Sequence, residues 1–342
     1  MGIPLHRGYI ILKEFGHVSL AFYPPLRSSP TFLSSGDSAI ALFTAQDLLE
    51  QTDVDVKALW DLPEAKKIVG KQQSDGSWKY PGGNTNLRTA ENYDQIETFR
   101  NLGYLVEMYG FNKSHHIIAK AADFLLGFQT DEGDIRGILG TQYTPYYTAA
   151  ILELLMKAGY MDDQRIEKSF LWLQSMRQND GGWALPLRTH NRKLDIIAMN
   201  AQTFQPERSR PFSHLITGVV LRAYAAHPIY RHSGEANQAG KLLLSHVCKK
   251  DNYPDRGSPD YWLRFTYPFW FTDLISATDS VSKLGFTKEE PGIAEAAQWF
   301  VAHQQRSGLW KLKTLKNQKK FHTDLWISLA ICRILKCLYA DV

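Results

Sequence analysis

The chain has 342 residues, enough for about two average domains or one large domain built from repeats. Its 39 Lys and Arg nearly balance 35 Asp and Glu, giving a net charge of +4, so no basic face suited to nucleic acid is present and that partner is excluded. An apolar fraction of 44% with 9 Trp, 16 Tyr and 17 Phe implies a large core or a cavity lined with rings.

Residues 1–35 read as an extended N-terminal arm, because Pro24, Pro25 and Pro30 punctuate it. Charges interrupt its short apolar run, which argues against a signal peptide, and Pro4 breaks the N-myristoylation pattern. Residues 36–342 read as one domain. Its apolar spacing is helical throughout, and alternating strand patterns are scarce. Helix pairs are expected at "SAIALFTAQDLLE" with "VKALWDLPEAKKIVGKQQ", at 92–110 with 114–129, at 146–159 with 163–178, at 212–226 with 235–248, and at 271–286 with 292–305. A last helix over 322–340 has no partner after it. The first helix of each pair is apolar nearly all round and the second is amphipathic, so the first is buried on both sides and the second lies outside. The expected fold class is therefore all-α, an α/α toroid of inner and outer helices.

Between the repeats, residues 186–211 form an insertion, readable as a lid, a binding loop or surface decoration. The cationic stretch 311–320 reads as a solvated loop, with a peripheral contact to an anionic membrane as the functional alternative. Cys248, Cys332 and Cys337 read as buried free thiols of a reducing compartment. No run of eighteen apolar residues occurs, no Cys/His group has metal spacing, and no obligate protein partner is evident. A cytoplasmic protein without metal or cofactor is expected.

One phrase recurs where outer helices end: "QQSDGSWKY" at 72–80, "MRQNDGGWAL" at 176–185 and "HQQRSGLWKL" at 303–312, with a degenerate "QTDEGDI" from Gln129. Gly supplies the dihedrals of a sharp exit, Asp bonds its own downstream backbone, Gln satisfies helix-end groups, and Trp ties neighbouring repeats. Gln72, Asp75, Gly76 and Trp78 match Q-x-x-D-G-x-W in full. This pattern resembles the QW repeat of squalene-hopene and oxidosqualene cyclases, whose toroid is shared with protein prenyltransferase β subunits. The resemblance covers roughly residues 38–340 and implies an isoprenoid or similarly apolar small-molecule substrate.

The resemblance places a cavity where inner helices begin, and the polar residue there is Asp94, Thr148, His214, Asp273 or Asp324 in successive repeats. Helix capping accounts for Asp and Thr at such positions without any catalytic role. The family's D-x-D-D motif is missing, and "YPFWFTDLISA" at 267–277 keeps a single acid, Asp273. The prenyltransferase zinc triad is also missing: His322 matches one ligand, but Arg264 and Thr266 stand where Asp and Cys are required. The expected general acid is Asp273, with Asp324 or Asp94 tuning or replacing it and His214 orienting an acid or removing the final proton. Tyr93, Tyr147, Tyr267, Trp270, Phe271, His322 and Trp326 are the expected substrate-contacting residues. The implied reaction is acid-initiated isomerisation or cyclisation. Two other readings stay open: a non-catalytic isoprenoid- or lipid-binding or scaffold protein, and a carbohydrate-active enzyme pairing Asp94 with Glu97 or Asp273.

Overall fold

A computed structural model describes residues 24–82, 90–137, 142–192, 203–315 and 322–339. Its principal helices are α1 (Pro24–Leu33), α2 (Ser38–Phe43), α3 (Pro63–Val69), α4 (Ala90–Tyr109), α5 (His116–Leu126), α6 (Pro145–Lys157), α7 (Gln164–Ser175), α8 (His214–Ala226), α9 (Gly234–Leu244), α10 (Leu274–Lys283), α11 (Pro291–His303) and α12 (Thr323–Tyr339). Among the described residues, β-pairing is confined to isolated bridges.

Even-numbered helices touch one another in sequence, α2 to α4, then α6, α8, α10 and α12, and α12 returns to α2. Each packs on an odd-numbered helix outside it. The all-α toroid read from the sequence is thus the architecture observed. Burial sorts the two rings as the hydrophobic pattern requires: α6 from Pro145 to Met156 and α8 from His214 to Ala225 are buried on every face. Helix α10 is buried as well, although it carries Ser276, Thr278 and Ser280. Thr278 and Ser280 donate to the carbonyls four residues earlier, Leu274 and Ser276, which satisfies their hydroxyls inside the helix.

The N-terminal reading needs correction. Residues 24–33 form helix α1 rather than an extended arm, with Pro24 and Pro25 in the first turn, where their missing N–H groups are not needed. Residues 1–23 lie outside the described residues. Helix α1 packs on α12 and α2, so it supplies the outer partner that the last inner helix lacked in sequence order.

The repeated turn explains how the ring holds together. Each tryptophan indole N–H donates back to its own outer helix, Trp78 to the Ile68 carbonyl, Trp183 to Leu173 and Trp310 to Phe300. Each tryptophan backbone N–H donates inward to a hydroxyl on the next inner helix: Thr98, Thr217 and Ser328. The Gln side chain reaches sideways. Gln72 donates to the Ile117 carbonyl of α5, Gln129 to Arg165 of α7, and Gln304 to the Ser28 hydroxyl of α1. Ser28 and Thr31 return hydrogen bonds to the Gly308 and Ser307 carbonyls, closing the ring between the two ends of the described chain. Gly76 is required because φ is +92° and a Cβ would collide with the Lys120 carbonyl.

Within the insertion, residues 193–202 lie outside the described residues. The flanks are packed: Gln178 donates to the Glu207 and Arg210 carbonyls, and Arg188 makes a paired contact with Asp255. Of the cationic stretch, 316–320 lies outside the described residues, while Phe265 pairs by backbone with Lys313 and Leu315. The cysteines also differ from expectation. Cys332 is buried, its thiol pushed up to about 12 by burial, but Cys248 and Cys337 are exposed.

Candidate ligand cavity

The ring interior is only partly open. The segment between Phe265 and Phe271 crosses it, with Tyr267 stacked on Trp326 of α12 at 5.4 Å and Trp270 set edge-on to Phe99 of α4 at 5.2 Å. The Tyr146 hydroxyl donates to the Trp270 carbonyl and fixes this crossing to α6. Beside it lies a cavity of about 740 Å³, lined by α4, by α6 from its first turn to Leu154, by the first turn of α8, and by residues of the 255–271 segment. Its apolar wall includes Phe99, Tyr146, Tyr147, Leu215, Trp270 and Phe271. Gly103, in the middle of α4, leaves room there: a Cβ would meet Leu154 and Pro268 only at ordinary contact distance.

Of the residues expected to contact substrate, Tyr147, Trp270 and Phe271 line this cavity. The others take different positions among the described residues. Tyr267 and Trp326 are buried against each other, and the Tyr267 hydroxyl accepts from Arg333. Tyr93 packs on Tyr80, and His322 is exposed, 3.1 Å from Asp37. They are packing or surface groups rather than wall residues.

The ring of polar residues at the inner-helix starts is likewise not gathered around one cavity. Asp94 accepts the Tyr80 backbone N–H and Thr148 accepts that of Ile135, so both are spent on holding the repeated turns. Asp324 is exposed in the first turn of α12. His214 is buried, with Nδ1 3.3 Å from Asp251 and its ring against Trp262. Burial holds its imidazole below the usual value, and the Asp251 carboxylate offsets this only in part. None of the four lines the cavity.

Asp273 is different. It caps α10, its Oδ1 accepting the Ser276 N–H at 2.8 Å while the Ser276 hydroxyl takes the Asp273 N–H. Its Oδ2 is buried without a hydrogen-bond partner among the described residues. Burial pushes the carboxyl up to about 7, against the opposing pull of the Ser276 hydrogen bonds, the Arg222 guanidinium and the Thr266 backbone N–H. The side chain is 1% exposed and stands behind the wall, while Thr266, Trp270 and Phe271 just before it in the chain line the cavity.

Sequence reading missed the ionic cluster near the C-terminal ends of the inner helices. Glu107 and Glu153 both line the cavity, and the Lys157 ammonium sits 2.5 Å from one and 2.7 Å from the other. Glu153 also pairs with Arg222 at 2.7 Å. Burial resists its ionisation, but Arg222 and Lys157 prevail and hold its carboxyl down to about 2. A glycosidase needs one of two facing carboxyls as a proton donor, whereas Glu153 is engaged by both Arg222 and Lys157, and Glu107 by the same lysine. The carbohydrate pairing proposed from sequence is not formed either: Asp94 caps a turn, and Glu97 bonds Arg100 and Asn101. These members could have been noticed as charges on helices otherwise apolar all round, Glu153 in "AAILELLMK" and Arg222 in "VVLRAYAA".

Residues 96–202 match the family model of the squalene-hopene cyclase C-terminal domain. No curated protein matches the chain. Among solved structures, the type II terpene cyclase MstE from Scytonema is 13% identical with a TM-score of 0.39, covering 92% of this chain and 86% of that one. A variant of the same enzyme in complex with geranylgeranyl dihydroxybenzoate is 12% identical, with a TM-score of 0.38 and coverage of 92% and 86%. A protein from Actinoplanes is 13% identical with a TM-score of 0.36, covering 83% of this chain and 87% of that one. The match to the squalene-hopene cyclase C-terminal model spans less than a third of the chain and falls on α4 from Ile96, α5, α6 and α7, of which α4 and α6 wall the cavity.

Proposed function

We propose that this terpene cyclase-like protein holds an isoprenoid in the cavity beside α4 and starts its isomerisation or cyclisation by protonation from Asp273. Protonating an alkene needs an acid kept dry and still protonated near neutral pH, with aromatic faces beside it for the resulting carbocation. The observation that carries the reading is the Asp273 carboxyl, buried, pushed up to about 7 and with Oδ2 unpartnered, two residues after the wall residue Phe271. Reaching the substrate requires the Thr266–Phe271 wall to shift, since Asp273 itself is not on the surface of the cavity. No described helix is long and apolar enough to cross a membrane, and the reading is of a cytoplasmic protein that meets its ligand there or at a membrane surface.

A second reading, non-catalytic isoprenoid binding, is favoured by the same residue's structural use as the N-cap of α10, where it forms a capping box with Ser276. Incubating the purified protein with squalene and with polyprenyl alcohols and diphosphates, with and without magnesium, separates the two. The enzymatic reading predicts a new cyclic or isomerised product by mass spectrometry, reduced about a hundredfold or more in Asp273→Asn with ligand binding retained. Binding without product in the wild type supports the second reading and removes the first.

A further inference from the structure

Apart from the cluster around Glu107 and Glu153, the cavity wall carries positive charge that the described residues do not neutralise. Arg256 lines the cavity with its guanidinium 3.5 Å from the centre of the Phe271 ring and 5.2 Å from that of Tyr261. Among the described residues it has no carboxylate within ion-pair distance. Its neighbour in sequence, Asp255, is taken by Arg188 through two contacts of 2.6 and 2.7 Å. Arg264 lies over the same Tyr261 ring at 4.9 Å, and its Nε is buried without a hydrogen-bond partner. Two guanidinium groups therefore share Tyr261: Arg256 lines the cavity without a counter-ion, while Arg264 is off the cavity surface and carries an orphaned buried donor.

Such an arrangement is costly when empty. A buried N–H without a partner forfeits roughly 1–3 kcal/mol, and like charges held together by a shared ring repel. Burial already presses the Arg256 guanidinium below its usual value, and Arg264 adds to the effect. Aromatic faces offset part of this, but they leave the in-plane N–H donors of both groups unused. An oxyanion matches those donors in sign and in planar geometry.

We infer that Arg256, backed by the positive charge of Arg264, forms the subsite for an anionic head group, a carboxylate or a phosphate, on the isoprenoid that fills the cavity. The inference rests on the isoprenoid reading and narrows it: a pure hydrocarbon leaves Arg256 unpaired, whereas an acidic amphiphile pairs with it and lays its chain along Phe99, Tyr147 and Trp270.

The test is a binding series with one chain and three heads, geranylgeraniol, geranylgeranyl diphosphate and geranylgeranoic acid, with squalene as the headless control. Quenching of tryptophan fluorescence in the wild type, Arg256→Gln and Arg264→Gln gives the affinities. At least one anionic ligand is expected to bind the wild type tenfold or more tighter than the alcohol, with the preference falling to within about twofold in Arg256→Gln. The anion that shows the larger preference identifies the head. Equal binding of alcohol and anions by the wild type, or an anion preference that survives in Arg256→Gln, overturns the subsite while leaving the isoprenoid reading intact. Failure of every ligand to bind overturns both. Circular dichroism on each variant checks that the fold is retained.

Discussion

Asp273→Asn is expected to unfold at a higher temperature than the wild type at pH 8, and the order is expected to reverse near pH 4, where only the cost of the buried amide remains. The sign follows from the direction of the shift. The carboxyl ordinarily titrates near 3.8 but is pushed up to about 7 in the folded chain by burial. Below the lower value both states hold the proton and Asp273 contributes nothing. Between the two values the unfolded chain has released the proton and the folded chain has not, so wild-type stability falls as pH rises. Above about 7 the penalty is complete, at most about 4 kcal/mol by the usual conversion of a pKa difference. Asn is as good an N-cap as Asp, so the bond to the Ser276 N–H survives. The buried amide carries unpaired donors of its own, which reduces the net gain at pH 8 to about 1–3 kcal/mol. Thermal melts of both proteins from pH 4 to pH 9 provide the check. Curves that run parallel across that range contradict a buried, neutral Asp273. A stabilising loss of this kind marks a carboxyl retained at the expense of the fold, as acids that serve chemistry often are.

Arg222→Met is expected to cost the fold about 3–5 kcal/mol, because it leaves a buried excess of negative charge on Glu107 and Glu153 around a single Lys157. Removing the second charge relieves this. The double variant Arg222→Met with Glu153→Gln leaves Lys157 paired with Glu107 alone, so a double-mutant cycle is expected to return a coupling of about 2 kcal/mol. Denaturant titrations of the four proteins measure it, and additive losses contradict the network. A further consequence concerns Asp273, whose carboxyl the Arg222 guanidinium pulls downward. With that cation removed, the pH dependence described above moves to higher pH.

Particular residues show what the sequence could convey. Trp78, Trp183 and Trp310 announced the fold because their turns recur with fixed chemistry, and local backbone bonds do not depend on what the centre of the ring contains. The same logic misplaced Asp94: a polar residue at an inner-helix start is as well suited to holding a turn as to facing a cavity, and here it holds the Tyr80 N–H. Trp270 and Tyr267 are three residues apart in one aromatic run, yet one faces the cavity and the other packs on Trp326. Their separation depends on the path of an irregular crossing segment, for which no periodic pattern exists. Glu107, Glu153, Lys157 and Arg222 lie on three different helices, so their meeting is a product of ring closure. The first helix was misread because prolines in a helix's first turn look the same in sequence as prolines in an extended arm.

The central claim is that the space beside α4 receives an isoprenoid, and Gly103 allows it to be tested most directly. Gly103→Phe places a ring into the cavity from a helix position where the backbone is otherwise unchanged. Binding of a geranylgeranyl ligand should be measured by calorimetry for the wild type and for this variant, with circular dichroism confirming equal helix content. Measurable binding by the wild type and a loss of about a hundredfold or more in the variant is the predicted result. Equal affinity in the two proteins, or no binding by either, contradicts the assignment.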